Sequence, residues 1–336
     1  MARRPDRATS RRRHGQRSGA RSRRSEAAAA STRSRTGYPG EAAAVVFLTT
    51  AVFFWGTAFR ATLIGTEHAP ALTFTALRAA PAALVLVAAA LVMGAKLPRG
   101  RIWFWAVVTG LVMIAFPLIA LAESVTRAGA GNAAVLANTA PFFVLILSRL
   151  FLGERASPLA IAGLGVGFAG VVVMVSSQLG GVDESAELAF GMALALASAG
   201  AWGVGILIMK QLMERDASLD VVGLTASQYV IGALACVAVA LVVDSPSDTD
   251  WSASALWGSI AWVAIGSSAI AQLAFYAGLR RLPANRAAVW SFLAPVVAVL
   301  VEVARGDTPE PIVLAGMVLA IAGVAIVNLA RIELRR

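Results

Sequence analysis

Of 336 residues, 58% are hydrophobic and 14% charged, a balance that excludes a water-soluble domain, which lacks the polar surface to cover so much apolar side chain. The net charge of +10 is local: the first forty residues hold 12 arginines against Asp6 and Glu26, which leaves 17 Lys/Arg to face 19 acids in the whole chain. One cysteine, Cys236, and two histidines, His14 and His68, exclude an intrachain disulfide, a thiolate metal site and a His-based catalytic cluster.

In chain order, residues 1–40 come first. Arg, Ser, Gly and Ala with almost no apolar side chain predict a disordered Arg-rich cytoplasmic tail. Its place beside the first apolar segment favours a topology determinant or a contact with anionic membrane lipid over nucleic acid. No secretory-type apolar stretch follows a short charged start, so no cleavage is expected.

Ten apolar segments follow, at 43–64, 70–94, 102–122, 128–148, 159–177, 188–209, 220–243, 254–279, 285–304 and 311–330. Each nears the ~20 residues that cross a bilayer. Lipid offers no partner to backbone N–H and C=O groups, so segments of this length are predicted to be helices. The stretch "ESVTRAGAG" (123–131) reads as a short connection between spans three and four. With a cytoplasmic amino terminus, thirteen Lys/Arg fall in inside loops and the carboxyl tail, and only Arg127 and Arg305 fall outside. The positive-inside bias requires this pattern, and an even span count returns the 331–336 tail to the cytoplasm. The expected location is the cytoplasmic membrane, multi-pass.

Span four carries "ANTAPFF" (137–143), a helix breaker in an apolar run, and the pattern recurs. Aligning Pro141 with Pro295 lays "RAGAGNAAVLANTAPFFVLIL" (127–147) over "RLPANRAAVWSFLAPVVAVLV" (281–301). Past the helices, Glu154 meets Asp307 and Pro158 meets Pro311; upstream, "FFWGTAF" (53–59) is echoed by "GAWGVGI" (200–206), and Arg78 falls over Gln228. Residues 43–177 and 188–330 are therefore two copies of a five-helix unit. Five is odd, so the copies are inverted, and the fold class is an all-α integral membrane protein of ten transmembrane helices in two inverted five-helix repeats. Such repeats give a physical route to transport, since two packings of one sequence type can expose a midplane cavity to alternate sides. Pro141 and Pro295 mark matching bends, in helices that line the cavity or simply pack there.

The order of features resembles the EamA family of the drug/metabolite transporter superfamily. The shared features are "WG" in the first helix of each copy, an arginine in span two, and a fourth helix of the form N-A-A-x-L…P…L…G-E-R before a Gly-rich fifth. The matching residues are Trp55, Gly56, Phe59, Arg78, Asn138, Pro141, Gly153 and Glu154 in the first copy, and Trp202, Gly203 and Pro295 in the second. The second copy departs at Gln228, at Phe292 opposite Asn138, and at Asp307. The resemblance implies an export-type carrier whose first four helices per half enclose a central cavity, with the fifth and tenth peripheral.

Helix faces nominate candidates independently of that family. Ser268, Gln272 and Tyr276 recur every four residues in span eight, and Ser291, Pro295 and Glu302 fall on one line of span nine. Phe74 joins Arg78 in span two, Phe59 joins Trp55 in span one, Ser198 joins Trp202 in span six, and Gln228 joins Gly232 in span seven. These faces suit either a cavity wall or contacts between helices. The substrate-binding candidates are Trp55, Phe59, Phe74, Arg78, Asn138, Pro141, Trp202, Gln228, Gln272, Tyr276, Ser291 and Pro295. Arg78 lies roughly 12 Å into its span at 1.5 Å per residue, and Arg60 is close enough to a helix end to snorkel. Glu302 is open to three readings: an exposed end residue, a partner of Arg78, or a titrating coupling group. Span five, with Gly163, Gly165, Gly167 and Gly170, packs either within its own half or against a second copy in a homodimer.

No nucleotide-binding loop is present and no cofactor is expected. The expected activity is secondary transport of small organic metabolites, amino acids or amphipathic drugs, outward, coupled to protons or uncoupled. A lipid-modifying enzyme would need an acid or histidine cluster that the spans lack, and a scaffold or sensor would work through the basic arm. Deleting residues 1–40 separates the readings: a carrier keeps its flux in vesicles, whereas a scaffold loses its activity.

Overall fold

The computed structural model describes residues 40–176, 186–330 and 333–334. The expectations placed on the arm and on the remainder of the carboxyl tail lie outside the described residues. Ten helices follow in order: α1 (Glu41–Thr66), α2 (Ala71–Val92), α3 (Arg101–Ala128), α4 (Ala130–Phe151), α5 (Pro158–Met174), α6 (Ala186–Arg215), α7 (Val221–Val243), α8 (Ser254–Leu279), α9 (Ala284–Ala304) and α10 (Pro311–Leu329). Nine of them, among the described residues, are long and apolar enough to cross a membrane; α5 has 17 residues, about 26 Å at 1.5 Å per residue. A two-residue backbone pairing of Glu154–Arg155 with Glu333–Leu334 is the one extended ladder among the described residues.

Two helices run past their expected ends. Instead of stopping at 122, α3 continues to Ala128, where Glu123 and Arg127 form an i,i+4 pair at 3.0 Å and Arg127 also binds Glu187 of α6. The expected connection shrinks to Gly129, whose φ of +80° ends one helix and starts the next. Likewise α6 runs beyond 209 to Arg215, with Lys210 paired to Glu214 at 3.4 Å.

Successive helices alternate in direction, as the contacts at their ends show. On the face where α1 begins, here the N face, Lys96 N donates to Asp220 Oδ2 (2.9 Å) and Arg280 Nη2 to the Leu219 carbonyl (2.9 Å). On the far face, Thr73 Oγ1 donates to Asp244 Oδ2 (2.9 Å), and Asp250 N donates to the His68 carbonyl (2.8 Å). Consequently α6 starts on the far face and α1 on the N face, and the halves are inverted. Asp220 also caps α7 through Val222 N and Gly223 N. Burial pushes its carboxyl up, but the N–H groups of Lys96, Gly223 and Val222 outweigh this and hold it below the usual range.

The halves interlock through equivalent contacts. α2 lies against α7, α3 against α6 and α7, and α8 against α2. The two "WG" glycines serve one purpose. A Cβ on Gly56 would sit 2.4 Å from Val297 Cβ of α9, and one on Gly203 would sit 3.1 Å from Phe143 Cβ of α4. Each first helix thus presses its glycine against the fourth helix of the opposite half.

The glycines of α5 face α10 of the same chain. A Cβ on Gly323 would lie 2.2 Å from Gly167 N, and one on Gly170 would lie 2.3 Å from Ala320 N. Backbone-to-backbone packing of this kind leaves no room for even a methyl group. Gly165 points away, with nothing within 4 Å. Gly323→Val is therefore expected to lower the unfolding temperature in detergent sharply, since overpacking costs about 1–3 kcal/mol or more. Gly165→Ala should raise it slightly, because alanine is the better helix former by ~1 kcal/mol.

Candidate functional site

Four of the helices crossing the centre are irregular, and each irregularity has a local cause. Pro141 removes one helical donor, and α4 breaks into Ala130–Ala137 and Ala140–Phe151. At the break, Asn138 Nδ2 donates to the Ala134 carbonyl (2.8 Å) and Thr139 Oγ1 to the Leu136 carbonyl (2.6 Å). Pro295 acts on α9 in the same way: residues Val289–Leu293 tighten into a 3₁₀ turn, and Ala294 N reaches the Ser291 carbonyl. The matching bends are present. That turn also resets the helical phase, so Ser291 does not stay in line with Pro295 and Glu302 as a regular helix would have placed it.

The third helix of each half carries a π turn, at Gly110–Ala115 in α3 and Val263–Ile270 in α8. The sequence reading missed both; Gly110 and Gly266 were the available hints. Each π turn packs on the second helix of the other half. A Cβ on Gly110 would be 2.8 Å from the Gln228 carbonyl oxygen. The π turn in α8 sets Ser267 and Ser268 near Arg78 and Tyr229, off the strict four-residue stripe.

Around these breaks the candidates divide into groups. Trp55, Trp202 and Phe275 form an aromatic cluster, with ring centroids at 5.9 Å (Trp55–Trp202), 5.3 Å (Trp55–Phe275) and 5.3 Å (Trp202–Phe275). Phe275, absent from the expected set, is thus at the centre of it. Tyr276 adjoins at 6.3 Å. Phe59 and Leu63, one and two turns after Trp55 on the same side of α1, are 48% and 53% exposed, so this face emerges toward the far face. On the N-face side, by contrast, every residue of 284–289 is buried.

Gln228 and Tyr276 are wholly buried. Gln228 Nε2 donates to Thr109 Oγ1 (2.6 Å), and its Oε1 accepts from the Tyr276 hydroxyl (3.1 Å), which also lies 3.1 Å from Met113 Sδ. This uncharged node joins α3, α7 and α8. Ser198 Oγ likewise donates to the Pro117 carbonyl (3.1 Å), tying α6 to α3. Gln272 is buried with Nε2 unpartnered, as are Ser291 Oγ and Trp290 Nε1.

Arg78 differs from its repeat partner. Its Nη2 donates to Ser267 Oγ at 3.4 Å, while its Nε is buried without a partner. Tyr229 and Cys236 of α7 are close enough to sense its charge. No carboxylate reaches ion-pair distance of it among the described residues, and Glu302 instead lies 3.9 Å from Arg305 near the far end of α9, 35% exposed. The reading of Glu302 as partner of Arg78 is therefore set aside. Phe74, on the same helix, does not join the central group: it fills the space over Gly65 and packs with Leu256, Ile260 and Val263.

The expected central cavity is closed by these side chains in this conformation. The two grooves that stand out among the described residues lie elsewhere. One, about 260 Å³, is apolar and opens between α1, α9 and α10 along Val52, Phe53, Trp290 and Val297. The other, about 190 Å³, lies on the N face between Lys96, Arg99, Asp216 and Asp220.

Removing the Gln228 amide would strand Thr109 Oγ1 and the Tyr276 hydroxyl. Gln228→Leu should therefore cost about 1–3 kcal/mol in denaturant unfolding in detergent, and Gln228→Leu with Tyr276→Phe should recover part of it.

Comparison with known proteins agrees with this arrangement. The EamA-like transporter family matches twice, over residues 42–176 and 189–329. A "Probable terminal-alkyne amino-acid exporter" of Streptantibioticus cattleyicolor is 28% identical over 294 residues, 87% of this chain and 96% of its own. The transporter YvbV of Bacillus subtilis is 27% identical over 280 residues, 82% and 88% of the two chains. The inner membrane transporter YedA of Escherichia coli K12 is 28% identical over 255 residues, 75% and 79% of the two. A solved crystal structure superposes with a TM-score of 0.74 at 24% identity, over 86% of this chain and 97% of that one, and shares the fold. With a membrane-spanning bundle of two inverted halves and both halves matched, the chain belongs to the EamA-like transporter family.

Proposed function

We propose that this transporter is a secondary carrier of small organic metabolites, amino acids or amphipathic drugs, working outward across the cytoplasmic membrane by alternating access. The observation that carries the reading is Arg78. A guanidinium in the bilayer's interior, with one buried N–H unpartnered and only a 3.4 Å hydroxyl contact, is costly unless an anion completes it. A solute with a carboxylate would do so, and its apolar part would meet the Trp55, Trp202 and Phe275 rings. The relative named as an amino-acid exporter supports both the solute class and the direction.

The surplus of Lys and Arg on the N face supports cytoplasmic termini. The closed N-face side and the emerging Phe59 surface then correspond to an outward-facing conformation. Proton antiport is the proposed coupling, with uncoupled exchange as the alternative.

Purified protein screened against carboxylated, cationic and neutral amphipaths in vesicles tests the reading. A carboxylated solute should bind and move. Arg78→Ala should weaken its binding by about 10- to 150-fold, the equivalent of a charge-assisted hydrogen bond of ~1.5–3 kcal/mol, and Arg78→Lys should retain part of it. Unchanged affinity in Arg78→Ala would remove the anion-binding role.

A further inference from the structure

The corner between α8 and α9, on the N face, is gripped from two sides by charged groups. Lys210 of α6, 7% exposed, donates from Nζ to the carbonyls of Leu279 (3.0 Å) and Leu282 (2.8 Å), where α8 ends. Glu154, 4% exposed, stands between α4 and α5, and its Oε1 accepts from Ala284 N (2.9 Å), where α9 begins. Each charge meets the helix end of opposite sign. Because Glu154 belongs to the first half and the corner to the second, this bond closes the N face between the halves.

Hydrogen-bond accounting is incomplete at this point. Glu154 Oε2 and Asn285 Oδ1 are both buried and both lack a donor, although Asn285 follows directly on Ala284 and its own N–H faces the Glu154 carboxyl. Two acceptors left orphaned side by side are missing one proton. Placed on Oε2, it would make Glu154 a neutral acid that donates to Asn285 Oδ1 while Oε1 keeps its bond from Ala284. Each buried acceptor otherwise left unmet costs about 1–3 kcal/mol. Among the other groups facing the carboxyl, Lys210 is committed to the α8 carbonyls and to Glu214. Ser148 Oγ donates within α4 to the Leu145 carbonyl (3.2 Å). Arg286 Nε reaches Asn328 of α10 (3.4 Å), and Gln211 reaches the Phe151 carbonyl (3.5 Å).

We propose that Glu154 is a proton-operated latch of the N face: protonated, it shares its proton with Asn285 and keeps the face shut; ionised, it leaves the corner and lets the face open. The proton passes between Glu154 and water on the N face, so the latch sets the pH dependence of that gate without carrying a proton across the membrane. Burial pushes the carboxyl up, and it stays raised despite the N–H groups of Ala284 and Asn285, the Lys210 charge and Ser148. The sign follows. The shut state binds the proton more tightly than the open, solvated state, so closure is favoured at low pH and is lost as pH rises through the raised value. This inference rests on the alternating-access reading, but it can be tested with no substrate, so the two can fail separately.

Two readouts on the full chain decide it. In infrared titration, wild type should show a protonated-carboxyl band that disappears above the ordinary glutamate range. Glu154→Gln should lack the band, and Asn285→Ala should move its loss to lower pH. In the second, Ala287→Cys, at a position fully buried when the face is shut, is introduced with Cys236→Ala and labelled by a membrane-impermeant maleimide. Rates are normalised to the same thiol in unfolded protein. Labelling should rise with pH by about tenfold for each pKa unit separating shut and open states, and Glu154→Gln should hold it low and flat. A wild-type pH profile in Glu154→Gln, absence of the band, or loss of pH dependence in Glu302→Gln instead would overturn the latch.

Discussion

Hydrocarbon cannot hydrogen-bond, and most of this structure follows from that constraint. It makes every long apolar segment a helix, and it requires each departure from regular helix to supply its own partners. Where Pro141 breaks α4, the side chains of Asn138 and Thr139 take up carbonyls of the preceding turn. Where Pro295 breaks α9, a 3₁₀ turn does so instead. The same need draws Gln228, Thr109 and Tyr276 into one uncharged node. Against this background of satisfied groups, the unfilled ones mark places where something else must arrive: an anion at Arg78, a proton at Glu154.

The two halves share one architecture and divide its chemistry. Glycine in each "WG" pair admits the fourth helix of the opposite half, and each third helix widens into a π turn against the opposite second helix. The polar residues at the equivalent positions then diverge. Gln228 is sealed, and a charge there would be left unpaired, whereas Arg78 retains capacity to bind. Glu154 is buried against the second half, while its counterpart Asp307 is exposed. An alternating-access cycle requires such divergence, since the two gates must respond to different signals if the carrier is to favour one direction.

The peripheral pair α5 and α10 forms by close backbone contact between glycines. With those faces used inside the chain, span five has its partner without a second copy. The cluster of Trp55, Trp202 and Phe275 occupies the centre instead, and with it the pocket is shut in this conformation.

The sequence by itself determined the class of fold, the ten helices, their inversion and the two proline bends. These depend on composition, on segment length and on a repeat offset, each readable along one chain. It also pointed to Arg78, because a lone arginine in an apolar run is conspicuous, and to Trp55 and Trp202 through the repeat. What it could not carry was helical phase beyond an irregular turn. A π turn in α8 and a 3₁₀ turn in α9 rotate everything after them, so regular spacing misjudged the stripes through Ser268 and Ser291 and overlooked Phe275. The ends of α3 and α6 depended on ion pairs made after folding. The roles of Phe74, Gln228 and Glu154 were decided by tertiary structure alone, because each depends on which atoms of a distant helix stand opposite, and no spacing within one segment encodes that.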